Sequence, residues 1–131
     1  TAAVLPCGLP SIYPAENVLL AAKILDTGGV LLSEQPFSKS PRAGDFVQRD
    51  RLQSGLSLGV AVIETTASGG TMHTVRFASK QQRPVACLFA AGQVPEGNQL
   101  IIDQFKGVKL KDRDDINAYI RLLLDTDGRL G

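Results

Sequence analysis

The run Ala67-Ser68-Gly69-Gly70-Thr71 stands where a short apolar stretch gives way to a segment of helical length, and its residue types suit the capture of an anion. Glycine lets the backbone approach a phosphate closely. The N–H groups of a helix start carry the positive end of the helix dipole, and the hydroxyls of Ser68, Thr71 and Thr74 can add hydrogen bonds. The same residues would also make a plain strand-to-helix turn with Thr71 as the helix cap. A second group is basic. Lys39, Arg42, Arg49 and Arg51 flank Phe46, with Asp45 and Asp50 among them, so four cations meet two acids for a local balance of +2. Guanidinium groups grip phosphates through paired hydrogen bonds and stack on bases, while Phe46 could stack on an unpaired base or anchor its helix.

Other chemically capable residues are less suggestive. Arg76, Lys80 and Arg83 read as the wet face of a helix, and Lys106, Lys109 and Lys111 are offset by Asp103, Asp112, Asp114 and Asp115. His73 is the only histidine, with no Cys or His at ligand spacing, so neither a metal nor a cofactor is expected. As a general base it would need a positioned nucleophile or water, and Ser68, Thr71 and Thr74 are near it only in sequence. Glu16, Glu34, Glu64 and Glu96 adjoin loops without paired-acid spacing. Cys7 and Cys87 each border an apolar run and read as buried free thiols.

The elements that must position these groups alternate. Residues 2–6, 30–34, 60–64 and 85–89 are short apolar runs without period-2 alternation, as in strands buried on both faces. Helices are expected over residues 16–27, 46–57, 71–82 and 114–124; Pro14 precedes the first and Gly28-Gly29 follow it. The last would carry Ile116, Tyr119, Ile120 and Leu123 on one face and pack across a sheet edge. The resulting βαβαβαβ order predicts a three-layer α/β/α domain with a mostly parallel sheet. Ligands in such sheets gather at the carboxyl ends of the strands, which here means the loops 7–15, 35–45, 65–70 and 90–97. The tail 127–131 reads as frayed.

With 131 residues, 44% of them hydrophobic and 21% charged, the chain has the composition of one ordinary domain spanning 1–131. Fourteen basic against thirteen acidic residues leave +1, so any polyanion site must be local. No apolar stretch approaches the ~20 residues that span a bilayer, and no signal peptide opens the chain. The sequence reads as cytoplasmic, with no membrane partner. A strand-like run at the very start suggests that further structure precedes it.

Taken in order, these segments resemble the DprA/Smf family of DNA-processing proteins over residues 3–105. Gly8-Leu9-Pro10-Ser11-Ile12-Tyr13-Pro14-Ala15-Glu16-Asn17 is similar to the family's Gly-Leu-Asp-x-Ile-Tyr-Pro-x-Glu-Asn, and Leu31-Leu32-Ser33-Glu34-Gln35-Pro36 to its Leu-Leu-Ser-Glu-x-Pro. Phe46-x-x-Arg49-x-Arg51 followed by Gly55-Leu56-Ser57 resembles Phe-Pro-x-Arg-Asn-Arg and Gly-Leu-Ser; Gly70-Thr71-x-x-Thr74 stands for Gly-Ser-x-x-Thr, and Gly97-Asn98 precedes Leu100-Ile101. The resemblance implies an extended Rossmann-type fold that binds single-stranded DNA, dimerises, and helps load a RecA-type recombinase during natural transformation, without chemical turnover. It points to Arg49, Arg51, Ser68, Gly69, Gly70, Thr71 and Thr74, with Phe46, Lys39 and Arg42, as the DNA- and phosphate-facing set.

The departures weaken polyanion contact: Val47 replaces the family's Pro, Asp50 its Asn, and Gln48 a frequent Lys or Arg. Phe89-Ala90 replaces a usual Pro-Gly, and the family's upstream half, with its own phosphate loop, has no counterpart here. Two other readings use the same loop. A non-catalytic sensor of a nucleotide or nucleotide derivative would saturate with a mononucleotide. A glycosidic hydrolase of nucleoside monophosphates, as in the lysine-decarboxylase-like group, would need a Glu after the Gly-Gly-Thr run, where Val75 and Arg76 stand instead.

Overall fold

A computed structural model describes residues 1–89, 92 and 94–127, the last two as backbone. The chain divides into two compact units, Thr1–Leu52 and the residues from Gln53 onward.

In the first unit β1 (Ala2–Val4) and β2 (Val30–Leu32) pair in parallel, Ala3 opposite Leu31. A 3-10 turn (Ala15–Asn17) leads into α1 (Val18–Asp26), which packs on β2. Helix α1 thus begins two residues later than the expected 16, because Pro14 opens a 3-10 turn rather than the helix itself. At its far end Gly28 takes φ +80°, a conformation that favours glycine. Only Ala21 of α1 is buried; Val18, Leu19, Leu20 and Leu25 are exposed.

Helix α2 (Ala43–Gly55) starts three residues earlier than the expected 46. Asp45 explains this. Its Oδ2 accepts from the Arg42 amide at 2.9 Å while its own amide donates to the Arg42 carbonyl at 2.9 Å, a reciprocal cap that fixes the first turn.

The second unit is a three-stranded parallel sheet in the order β3 (Val60–Val62), β4 (Val85–Leu88), β5 (Val108–Leu110), connected by α3 (Thr71–Lys80) and α4 (Glu96–Phe105) and followed by α5 (Arg113–Asp127). Alternation along β4 sorts its two faces. Val85 and Cys87 join Val62, Met72, Val75, Ala78 and Ile101 in one cluster, whereas Ala86 joins Leu110 and Tyr119 in another. The sheet of this unit is therefore covered by α3 and α4 on one side and α5 on the other, which is the three-layer arrangement expected of the sequence.

Several expectations are corrected. Helix α4 and strand β5 did not figure in the sequence reading, and the strands run three or four residues rather than five. On α5, Tyr119 is buried and Leu123 half-buried, but Ile116 and Ile120 are 42% and 48% exposed, so the apolar face meets the sheet over a narrower stripe. Cys7 and Cys87 are buried free thiols as expected. Ala90, Ala91 and Gln93 of the 90–97 loop, and 128–131 of the tail, lie outside the described residues; Asp127 closes α5. Among the described residues no helix is long and apolar enough to cross a membrane, and no group of three His, Cys, Asp or Glu could hold a metal ion.

Candidate phosphate-binding loops

In the second unit the 65–70 loop follows β3 and opens α3. The Gly69 amide donates to Thr66 O at 3.1 Å, and the Met72 and His73 amides donate to Gly69 O and Gly70 O, both at 3.0 Å. The amides of Gly70 and Thr71 are left without a partner among the described residues. Gly70, with helical φ and ψ, is the N-cap, and no side chain caps the helix. The capping role open to Thr71 is therefore unfilled. Its hydroxyl is exposed, as is that of Ser68, and Thr74 is half-buried one turn on.

The two glycines differ in what they permit. A Cβ on Gly69 would lie 2.7 Å from Thr65 Oγ1, so any side chain there would push the Thr65 hydroxyl aside. A Cβ on Gly70 would meet nothing within 4 Å. Gly70 therefore leaves its side of the helix start open without being required by packing.

Asn98 holds this loop in place. Its Oδ1 accepts from the Thr65 amide at 3.1 Å, and its Nδ2 donates to Ile63 O at 2.9 Å and Leu88 O at 2.8 Å. One buried carboxamide thus ties the carboxyl ends of β3 and β4 to the first residue of the loop. Gly97 lets α4 come this close, since a Cβ there would lie 2.4 Å from Thr65 O. Beside the loop a cleft of about 740 Å³ is lined by Glu64, Thr65, Thr66, Val94, Pro95 and Glu96. The expected site residues Ser68 to Thr74 are not among its described lining residues. The sequence pointed to the 65–70 and 90–97 loops that flank this cleft and to the Gly97-Asn98 pair, but not to the clasp that the Asn98 carboxamide forms.

In the first unit the basic residues are placed by a loop folded over Gly8. The Gly8 amide donates to Lys39 O at 2.9 Å, and a Cβ on Gly8 would lie 2.0 Å from Phe37 O, so the backbones touch. Ser33 Oγ donates to Cys7 O at 2.6 Å and accepts from the Gln35 amide at 3.0 Å. Lys39 Nζ reaches Asp45 Oδ1 at 2.5 Å and Gln35 Oε1 at 2.7 Å. The hydrogen bond from the Lys39 ammonium, aided by the Arg42 amide, holds the Asp45 carboxyl below the usual carboxylate range against the opposing effect of burial.

The arginines are engaged too. Arg49 donates through Nη1 to Val4 O at 3.0 Å and through Nε to Asp50 Oδ1 at 3.2 Å, and its guanidinium lies 5.9 Å from the Phe46 ring centroid. Phe46 is half-buried and meets Tyr13 edge to face at 5.8 Å. Arg51 Nη2 reaches Glu34 Oε2 at 2.6 Å. Arg42 is exposed. Glu34, which the sequence placed beside a loop and outside the basic group, thus joins that group, and four cations face three acids for a net +1 rather than +2.

Parallel strands joined by helical crossovers, with helices on both faces of the second sheet, define a Rossmann-like α/β class. Within that class, residues 1–119 match the DNA recombination-mediator protein A family, and the chain belongs to it. It is 44% identical over 86 residues to protein Smf of Escherichia coli (strain K12), covering 66% of this chain and 23% of that protein. It is 38% identical over 85 residues to the DNA processing protein DprA of Bacillus subtilis (strain 168), covering 65% of this chain and 28% of that protein. The chain thus spans about a quarter of the length of these relatives.

Its fold matches DNA processing protein A of Helicobacter pylori, described for its single-stranded DNA binding mode, with a TM-score of 0.76 and 26% identity over 95% of this chain and 56% of that one. It also matches DprA of Streptococcus pneumoniae, with a TM-score of 0.75 and 28% identity over 90% of this chain and 42% of that one. The resemblance read from the sequence motifs, and the α/β class with parallel strands, are confirmed.

Proposed function

We propose that this chain is a non-catalytic, single-stranded DNA-binding part of a DNA-processing protein. In the second unit the Gly70 and Thr71 amides, with the hydroxyls of Ser68, Thr71 and Thr74, receive a backbone phosphate; Gly69 shapes the turn. In the first unit Lys39, Arg42, Arg49 and Arg51 contact further phosphates, and Phe46 offers a ring edge to a base. The observation that carries the reading is the α3 start: two unpartnered amides beside exposed hydroxyls, open on the Gly70 side, in a chain of this family. In the cell, we place the molecule in the cytoplasm as a homodimer that helps load a RecA-type recombinase on strands taken up during natural transformation.

A second reading rests on the 740 Å³ cleft, which is large enough for a mononucleotide and carries Glu64 and Glu96 as acceptors for hydroxyl groups. There the chain would sense a nucleotide without cleaving it.

Fluorescence anisotropy with a labelled oligo-dT of about 20 nucleotides, with duplex and AMP as competitors, separates the two. Strand binding predicts affinity that falls steeply with salt, weak competition by AMP, and loss of affinity in Gly70→Ala with no loss of thermal stability. Competition by AMP at concentrations where the duplex does nothing supports the sensor instead. Full affinity in Gly70→Ala removes the α3 start from the proposed contact.

A further inference from the structure

We infer that Glu34 and Asp50 are built-in competitors for phosphate at Arg51 and Arg49, so that a strand must bring several linked phosphates before the basic face of the first unit engages it. The inference rests on the strand-binding reading above and adds how that site is regulated.

Both acids occupy the hydrogen-bonding edges a phosphate would use. Glu34 Oε2 sits 2.6 Å from Arg51 Nη2, with the two side chains 35% and 44% exposed. Asp50 Oδ1 sits 3.2 Å from Arg49 Nε, and that pair is more enclosed, at 13% and 23%. The Val4 carbonyl holds Nη1 of the same guanidinium, so Arg49 cannot swing away and must receive a phosphate where it stands. A phosphate arriving at either arginine therefore displaces a carboxylate or shares the cation with it.

The energetics suit a threshold rather than a block. An open ion pair such as Glu34–Arg51 adds little to stability and exchanges readily, yet each exchange subtracts from the gain of one phosphate contact. A mononucleotide meets that cost once with nothing to offset it, whereas linked phosphates bind the later positions at high effective concentration.

The test compares wild type, Glu34→Gln, Asp50→Asn and, as a control for net charge, Asp26→Asn on exposed α1, each titrated with labelled oligo-dT across a salt series. Glu34→Gln and Asp50→Asn should each bind roughly two- to fivefold more tightly than wild type. The slope of log affinity against log salt should steepen by about 0.7 for each phosphate newly engaged, and the Asp26→Asn slope should not change. A merely structural role for the acids would lower the melting temperature and leave that slope alone. If Asp50→Asn fails to fold, Glu34→Gln decides alone, because its pair lies at the surface. Wild type that binds, with neither acid variant exceeding the Asp26→Asn control, overturns the competitor role and leaves strand binding intact. Absence of binding in every protein overturns both, whereas binding that appears only in the acid variants supports the inference directly.

Discussion

Asn98 is a single side chain on which the geometry of the α3 start depends, because its carboxamide satisfies one amide and two carbonyls at the ends of two strands. Removing it leaves the buried Thr65 amide without its acceptor and two partly buried carbonyls without their donor. Asn98→Ala should therefore cost about 3 kcal/mol, read as a lowered urea midpoint at unchanged slope. A loss below about 0.5 kcal/mol, the range of an ordinary surface substitution, would show that the clasp is dispensable. The same residue marks a limit of what sequence shows. The turn at residues 67–71 was legible because paired glycines between an apolar run and a helical segment form a local pattern. Asn98 acts on residues 33 and 35 positions away, and Glu34 on a partner 17 away, and such pairings leave no local pattern.

Among the elements, α5 shows how a helix is fixed to the outer face of the sheet. Asp112 Oδ1 accepts from the Asp114 and Asp115 amides, each at 2.9 Å, and starts it. Tyr119 then docks it: the hydroxyl donates to Pro84 O at 2.8 Å and approaches Val60 O at 3.2 Å, at the entry of β3 and β4. Gly59 makes room, since a Cβ there would lie 2.5 Å from the Tyr119 hydroxyl oxygen. Burial pushes the Tyr119 phenol up to about 12. A raised value means the neutral form is the one the fold favours, so this contribution is complete below the phenol's ordinary value near 10 and lost as pH rises from there toward 12. Alkaline titration of stability should thus fall more steeply above about pH 10 in wild type than in Tyr119→Phe, while at neutral pH Tyr119→Phe should cost about 1 kcal/mol. Parallel alkaline curves would place the titration elsewhere. Helix α5 was foreseen because its period and first-turn acids are strong signals. Helix α4 was not, because Gly97 and Asn98 resemble loop residues and earn their places only against Thr65 and the strand ends. Strand β5, three residues with a lysine at its centre, was too short to register as a pattern.

For the whole molecule, a net charge of +1 means that no general field draws DNA to it, and binding must come from local geometry. Fold class and family were legible from the order of the motifs, since residues 8–17, 31–36, 46–57 and 70–74 each carry a recognisable run. The degree to which the basic residues are already paired was not, because ion pairs form through folding rather than spacing. In the proposed function, strand phosphates meet the α3 start in the second unit and the basic residues of the first unit. The most direct measurement is the ¹H–¹⁵N spectrum of the labelled chain titrated with unlabelled oligo-dT. The Gly70 and Thr71 amides and the Arg49 and Arg51 side-chain Nε–H signals should all shift, and should return as salt is raised. Shifts confined to Glu64, Thr65, Thr66 and Glu96, or none at saturating strand, would contradict it.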